Sequence, residues 1–356
     1  MPLFKDMLSS GESLFKNRDA LDFEFVPKMM PYREMQQKRV AHCIAPLLQE
    51  QNGRNLLIHG PSGIGKTAAI KWVFRDLEDE TDAVEVFYIN CWQKNTTFKI
   101  LTDLCHQMGY MFTQNKKTEE LMAEVEKIVN KRSAVFCFDE IDKAEDFDFL
   151  YSLLETIHKK SVILITNYKE TIAALDSRIT SRLTPEVLEF KQYTLQETHG
   201  ILKERIGYAF VSGVWSDDAF KIVADKCADL KDIRSGLYLL REAGLSAEEV
   251  SSKRIMPEHA SAAISKLDEF TIKSTEELAD EKQRVLSIIK EFSGAKIGDL
   301  FKHYQEKGGR ATYRTFQRTI ERLAQGKFIV AEKTQGGSEG NTTIVKAIDH
   351  KKLTEF

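Results

Sequence analysis

A glycine-rich loop lies between an apolar run and a helical pattern in the first quarter of the chain. Residues 55–59 (NLLIH) are predicted to form a strand, and GPSGIGKT at 60–67 matches the pattern G-x-x-x-x-G-K-[ST]. Glycines let backbone N–H groups turn inward around phosphates, and the helix that follows adds the positive end of its dipole. The pattern predicts a phosphate site formed by nine consecutive residues: Gly60, Pro61, Ser62, Gly63, Ile64, Gly65, Lys66, Thr67 and Ala68.

Side chains of this loop and of a second segment predict how the nucleotide and a metal are held. Lys66 is expected to reach the β and γ phosphates, and Thr67 to ligate Mg²⁺. In the second segment, FDEID, an apolar strand at 134–138 delivers two carboxylates to its C-terminal end. Asp139 is expected to hold Mg²⁺ through water, and Glu140 to orient and deprotonate the attacking water. The motifs therefore predict an ATPase with ATP or ADP and Mg²⁺ as cofactors.

Short apolar runs alternate with helical patterns before residue 194. The runs at 83–90 (AVEVFYIN) and 161–166 (SVILIT) complete a set that predicts an α/β fold with a parallel, doubly wound sheet. Asn167 follows the last run, and its amide is expected to bind the γ phosphate and the attacking water.

The length of 356 residues predicts more than one domain. We expect an α/β nucleotide-binding domain at 1–193 and a helical lid at 194–270. After a polar linker at 271–280, a third domain is expected at 281–350. Three helical patterns there precede two alternating runs joined by QGGSEGN at 335–341, which is typical of a winged helix.

Charge is distributed unevenly along the chain. Residues 271–356 carry sixteen Lys and Arg against twelve Asp and Glu, or +4, on a chain of net −3, which leaves −7 for the rest. A basic segment on an acidic protein indicates a local contact with a polyanion. In the third helical pattern of this segment, Arg314, Arg318 and Arg322 recur every four residues and, with Arg310, are the candidate DNA contacts. The opposite face is apolar: Tyr313, Phe316, Ile320 and Leu323. A solvated basic face and a protein-docking winged helix remain the alternatives.

Five cysteines are scattered without a CxxC pair, which predicts reduced thiols in an intracellular compartment. No apolar run reaches eighteen residues, so neither a transmembrane helix nor a membrane partner is expected.

Taken in order, these segments resemble the AAA+ replication initiators of the archaeal and eukaryotic origin recognition complex and cell division control family. The implied fold is an AAA+ P-loop parallel sheet with a helical lid, followed by a winged helix. The resemblance is carried by the order and spacing of seven segments: FKNRDALDFEFVPKMMPYRE (15–34), VFYINCWQKNTTFKILTDL (86–104), FDEID (138–142), ITN (165–167), LDSRITSRL (175–183), FKQYTLQETHGILKERI (190–206) and DIRSGLYLLREAG (232–244).

The resemblance also implies roles for residues outside the loop. Three residues are expected near the adenine: Val26, Pro27 and Arg33. Tyr193 and Arg205 are expected to contact the nucleotide, and Arg234 to act as the second sensor. The alternative for Arg234 is a local ion pair with Asp232.

Arg178 and Arg182 lie four residues apart, on one face of a predicted helix. The resemblance makes this segment the carrier of an arginine finger that reaches the γ phosphate of a neighbouring subunit, with Arg182 the stronger candidate. The alternative is a pair of surface arginines at a helix end.

The resemblance implies an initiator that binds origin duplex DNA and helps to load the replicative helicase, with ATP binding and slow hydrolysis as the switch. Its partners would include a second copy of itself or a related subunit, in the nucleoid of an archaeon or the nucleus of a eukaryote. Two departures are noted: Ile64 stands where the family usually has Thr, and the loop at 335–341 lacks Lys and Arg. The rival interpretations are an ATPase of a mobile element or plasmid, and a regulatory ATPase whose winged helix binds protein.

Overall fold

A computed structural model of the chain describes residues 13–169, 171, 175–325, 329–334 and 342–347; at 270–283, 322, 324–325, 330–334, 342 and 347 the description covers the backbone alone. Internal contacts divide the chain into two compact units, Met1–Ile264 and Ser265–Phe356. The predicted nucleotide-binding domain and most of the predicted lid thus fall within one unit, and the boundary between them stays a prediction. Within the described residues, no helix is long and apolar enough to cross a membrane.

The first unit contains a parallel sheet with the strand order β2-β3-β4-β1-β5. Its strands are β1 (Leu56–His59), β2 (Val84–Asn90), β3 (Ser133–Asp139), β4 (Lys160–Thr166) and β5 (Glu186–Glu189). Every residue of β3 is buried, as expected for a central strand with helices on both faces. The α/β prediction is confirmed, although β5 escaped sequence reasoning because its EVLE pattern is short and half charged.

Helices cover both faces of this sheet and then continue without strands. The helices of the first unit's sheet region are α1 (Glu34–Ile44), α2 (Lys66–Glu80), α3 (Thr97–Gln107), α4 (Thr118–Val129), α5 (Asp148–Thr156) and α6 (Ser177–Leu183). The helices that follow β5 are α7 (Leu195–Ala209), α8 (Asp217–Leu230), α9 (Ile233–Glu249) and α10 (Pro257–Glu291). Thr194 and Glu197 form a capping box that starts α7, and the Asp232 side chain caps α9.

Helix α10 continues without interruption through the polar stretch at 271–280, where the sequence predicts a linker between domains. The stretch TIKSTEELAD contains neither Gly nor Pro, and Glu, Leu, Ala and Lys are good helix formers. A polar composition is therefore compatible with a continuous helix in this segment.

The second unit has the elements of a winged helix. After α10 come β6 (Ala295–Lys296), α11 (Ile297–Glu306), α12 (Tyr313–Gln325), β7 (Ile329–Thr334) and β8 (Thr342–Ala347). The three strands form an antiparallel sheet in the order β6-β8-β7. Its core includes Ile288, Leu300, Tyr304, Phe316 and Val345, all 0–1% exposed. The predicted wing at 335–341 lies outside the described residues.

All five cysteines are buried and unpaired, in agreement with the expected reduced thiols. Burial raises the pKa of the Cys227 thiol to about 12.

Candidate nucleotide site

The glycine-rich loop connects β1 to α2 at the carboxyl edge of the sheet. Gly65 stands at the helix N-cap with φ +85°, and Gly63 has φ +75°, a backbone region that glycine adopts at little cost. A Cβ on Gly63 would lie 2.1 Å from the Asp232 Oδ1 atom at the start of α9. The loop therefore needs glycine for its own turn and for the close approach of a second element.

Lys66 is buried, and its ammonium group is held by oxygen atoms of its surroundings. Nζ donates to the carbonyl oxygens of Gly60 and Pro61, both at 2.7 Å, and to Asn167 Oδ1 at 2.9 Å. Burial lowers the pKa of Lys66 to about 8, partly opposed by the charge of Asp139. A buried ammonium whose hydrogen-bond partners in the described part of the chain are all neutral fits a site for an anion, whose charge would stabilise the protonated form.

Thr67 and Asp139 meet as their motifs predict. Thr67 Oγ1 donates to Asp139 Oδ2 at 2.5 Å, and Tyr88 Oη donates to the same oxygen at 2.7 Å. The backbone N–H of Glu140 donates to Oδ1 at 2.8 Å. Burial, reinforced by the negative charge of Asp139, raises the pKa of Tyr88, so its hydroxyl remains a donor. A hydroxyl and a carboxylate in contact are hard oxygen ligands of the kind that Mg²⁺ prefers.

Glu140 lines the same cavity as Lys66, Thr67 and Asp139. Its backbone has φ +52°, an uncommon conformation that turns the chain directly after β3. Burial and the neighbouring charges of Asp139 and Asp142 raise the pKa of the Glu140 carboxyl. A raised carboxyl pKa favours the acceptance of a proton near neutral pH, which is what a general base must do.

Helix α9 contacts the glycine-rich loop from the lid side. Arg234 Nη2 donates to Ser62 Oγ at 2.9 Å and also pairs with Asp232 Oδ2 at 2.9 Å. The backbone N–H of Ile233 donates to the carbonyl of Gly63 at 3.1 Å. The local ion pair considered from the sequence is therefore present, and Arg234 lines the cavity at the same time.

Apolar residues form another part of the wall of this cavity. Arg205 and Tyr193 line it, as does Pro27, whereas neither Val26 nor Arg33 does. The remaining apolar lining comes largely from residues that sequence reasoning missed: Phe23, Met29, Met30, Pro31, Ile201 and Leu237. The run FEFVPKMMP was the available signal, since apolar side chains in a segment without helix or strand periodicity need some other surface to cover.

Arg33 is buried beside the cavity and binds groups of the protein itself. Its guanidinium donates to Tyr193 Oη at 2.9 Å, to the Ile64 carbonyl at 3.1 Å and to the Lys191 carbonyl at 2.7 Å. Arg205 acts similarly on the other side, where it donates to the carbonyls of Ala20 and Phe25. Both arginines thus fix segments of the backbone next to the cavity.

Neither arginine of α6 is among the described residues that line this cavity. Arg178 is exposed and pairs with Asp176, while Arg182 pairs with Glu155 at 3.2 Å. Both guanidinium groups lie over the Tyr151 ring. The structure therefore brings the two arginines together and keeps them away from the Lys66 site.

In the second unit, Arg310, Arg314 and Arg318 are exposed, and the Arg322 side chain lies outside the described residues. Phe316, Ile320 and Leu323 are buried behind them. Tyr313, which the sequence places on the apolar face of this helix, is covered only in part: its ring packs edge-on against Phe301, yet 40% of the residue remains exposed. It occupies the first turn of α12, where the core no longer covers the helix.

A parallel sheet with this strand order, a glycine-rich loop after β1 and acidic residues after β3 define the class of AAA+ ATPases. A family model for an AAA domain matches residues 49–170, and a model for the Cdc6 AAA+ ATPase-type lid domain matches residues 199–265. An ORC1-type DNA replication protein 2 from Methanothermobacter thermautotrophicus is 30% identical over 362 residues, which cover 96% of this chain and 94% of that protein. The chain belongs to the family of ORC1-type DNA replication proteins.

Two further relatives support this assignment. The ORC1-type DNA replication protein 1 of Sulfurisphaera tokodaii is 35% identical over 267 residues, or 71% of this chain and 67% of that protein. The solved structure of the Aeropyrum pernix ORC1 protein in complex with DNA matches with a TM-score of 0.72 and 26% identity, covering 94% of both chains. The family connects this ATPase with DNA replication initiation.

Proposed function

We propose that this chain is a nucleotide-controlled replication initiator that binds origin duplex DNA and helps to load the replicative helicase. The observation that carries the proposal is the direct contact between α9 and the glycine-rich loop, through Arg234 to Ser62 and Ile233 to Gly63. A nucleotide bound beside Lys66 must share this space with the start of α9. Its phosphates can therefore set the position of the lid.

Several residues fit a bound ATP with Mg²⁺. Lys66 would hold the β and γ phosphates in exchange for its contacts with the loop carbonyls, and Thr67 and Asp139 would hold the metal. When bound, Mg²⁺ neutralises charge on the phosphate oxygens. Glu140 would accept a proton from the attacking water, and Asn167 would orient that water. Slow ATP hydrolysis suits a switch, because partners then respond to the ATP-bound state of the protein and not to the ADP that it releases.

The second unit is the proposed DNA-binding element. Arg314 and Arg318 project from α12 on the exposed face, while Phe316 and Ile320 anchor its buried face. A helix so arranged can enter a major groove without disturbing its own core. The likeness to an archaeal ORC1 protein solved with DNA supports this assignment.

The exposed arginines of α6 support a contact with another subunit. Arg182 is partly exposed, and its ion-pair partner Glu155 is exposed as well. Because an exposed ion pair contributes little free energy, Arg182 can leave Glu155 for a γ phosphate in a second copy or a related protein. The arginine finger is thus proposed to act between subunits, with Arg178 beside it.

The decisive experiment maps the DNA bound by the protein across its genome, together with duplex binding in ATP, ADP and nucleotide-free buffer. We expect a peak at a replication origin and an affinity for duplex DNA that changes with nucleotide. Peaks at transposase genes would favour the mobile-element interpretation. Absence of duplex binding in every nucleotide state would favour a winged helix that docks protein.

A further inference from the structure

Tyr88 connects two strands at the point where the proposed metal site begins. It lies in β2 on the sheet face that α2 covers, and it is half-buried there. Because Asn90 is paired with Asp139 in the parallel register, Tyr88 stands two residues before that level. Its long side chain crosses to the neighbouring strand and donates to Asp139 Oδ2 at 2.7 Å.

Among the described residues, the Asp139 carboxylate accepts hydrogen bonds from three donors, which differ in their other roles. Thr67 is itself a proposed metal ligand, and the Glu140 N–H belongs to the adjacent residue of the chain. Tyr88 alone of the three comes from another strand, and it is absent from the residues that line the nucleotide cavity. Its hydroxyl is therefore directed to Asp139 and is not one of the described groups that face the cavity.

Tyr88 is itself held in place. Its backbone carbonyl accepts from Gln107 Nε2 at 3.0 Å, and the ammonium of Lys71 lies 5.0 Å from its ring centroid. A donor on a rigid strand fixes the rotation of a carboxylate better than water does, since a water molecule can be displaced or reoriented. Without the Tyr88 hydroxyl, the hydroxyl of Thr67 would be the remaining donor to Asp139 Oδ2 among the described residues.

The geometry points to Tyr88 as a positioning residue of the metal site, which orients the Asp139 carboxylate for Mg²⁺ and makes no contact with the nucleotide. This role rests on the proposed binding of Mg²⁺ with nucleotide at Thr67 and Asp139. Partners behind a metal ligand typically contribute about 10- to 100-fold in metal affinity. The same change should leave metal-free nucleotide binding intact.

The test uses the full chain with Tyr88→Phe, which removes one oxygen atom. Mn²⁺ binding to the ADP complex is followed by the electron paramagnetic resonance signal of the free ion, and ADP affinity is measured separately in EDTA. We expect the dissociation constant for Mn²⁺ to rise about tenfold or more. ADP affinity in EDTA should stay within about twofold of wild type, because charge-assisted contacts, which are the strong ones, are made by other residues.

Tyr304→Phe is the matched control, since Tyr304 is a fully buried tyrosine of the second unit whose hydroxyl accepts from the Ala311 N–H. It should leave both affinities unchanged. Wild-type Mn²⁺ affinity in Tyr88→Phe would overturn the inference. An equal loss of ADP affinity with and without metal would also overturn it, because the defect would then be one of the whole site.

A double-mutant cycle with Asp139→Asn separates this inference from the proposed function. If Tyr88 acts through Asp139, Tyr88→Phe should cause no further loss of Mn²⁺ affinity in the Asp139→Asn background. An Asp139→Asn variant with wild-type Mn²⁺ affinity would remove the proposed metal site altogether. A loss in Asp139→Asn but none in Tyr88→Phe would remove only the role of Tyr88.

Discussion

The cavity beside α2 and the exposed face of α12 present charged groups in opposite ways. Lys66 and Asp139 are buried, and each already has hydrogen-bond partners within the protein. Arg314 and Arg318 face solvent on a helix whose other side is core. A buried group that loses its partner incurs the full cost of desolvation, whereas an exposed one can be rehydrated. Substitutions in the cavity should therefore have larger effects than substitutions on the helix.

Glu140→Gln should have the largest effect, because it removes the proposed general base and keeps the shape of the side chain. We expect ATP hydrolysis to fall about 10²- to 10⁴-fold with nucleotide affinity preserved. Single-turnover hydrolysis and a nucleotide titration measure the two quantities. Asp142→Asn is the matched control, and rapid turnover in Glu140→Gln with loss in Asp142→Asn would move the base to Asp142.

Lys66→Ala should weaken ATP binding at least about 100-fold, since hydrogen bonds to charged groups contribute about 1.5–3 kcal/mol each and this cation would make several. A fluorescent-nucleotide titration gives the affinity. Lys99→Ala removes an exposed lysine of α3 and serves as control. Unchanged affinity in Lys66→Ala would show that the loop does not bind the phosphates.

Arg182→Ala combines the two situations, because this arginine is exposed yet is proposed to complete a buried site in another subunit. Dilute protein should bind ATP normally, while hydrolysis in the assembled state should fall about 10- to 100-fold, the worth of one charge-assisted contact. Mixing it with Glu140→Gln subunits tests action between subunits, and Arg132→Ala, which removes another exposed arginine of the first unit, is the control. Weakened ATP binding at high dilution would place Arg182 in its own subunit's site.

Arg314→Ala and Arg318→Ala should have the smallest effects. A contact to a base edge contributes about 1–3 kcal/mol on the cognate duplex, and a phosphate contact lowers the salt dependence by roughly one unit. We expect the larger specific loss at Arg314, since the start of a recognition helix usually lies deepest in the groove. Salt-series binding to origin and scrambled duplexes measures both, with exposed Arg132→Ala as control. Unchanged binding in the double variant would contradict the DNA role of α12.

The sequence predicted those parts of the site that depend on local order. The glycine-rich loop, the carboxylates after β3 and Asn167 each follow a strand directly, so the parallel sheet brings them to one edge. Tyr88 and the apolar wall were missed because their partners lie far along the chain, and no spacing encodes a contact such as Tyr88 to Asp139. The continuous helix through 271–280 was missed for a different reason. A polar composition indicates that a segment is exposed to solvent, but it does not indicate where a helix ends.

The three oxygen atoms that hold the Lys66 ammonium also affect the free energy of nucleotide release. When a nucleotide leaves, the ammonium has the Gly60 and Pro61 carbonyls and the Asn167 amide as replacement ligands. Departure would then be an exchange of partners, and it would not leave a bare charge buried in the protein. A nucleotide whose phosphate oxygens took these places would have to displace those ligands, and this exchange would reduce its net gain in binding free energy.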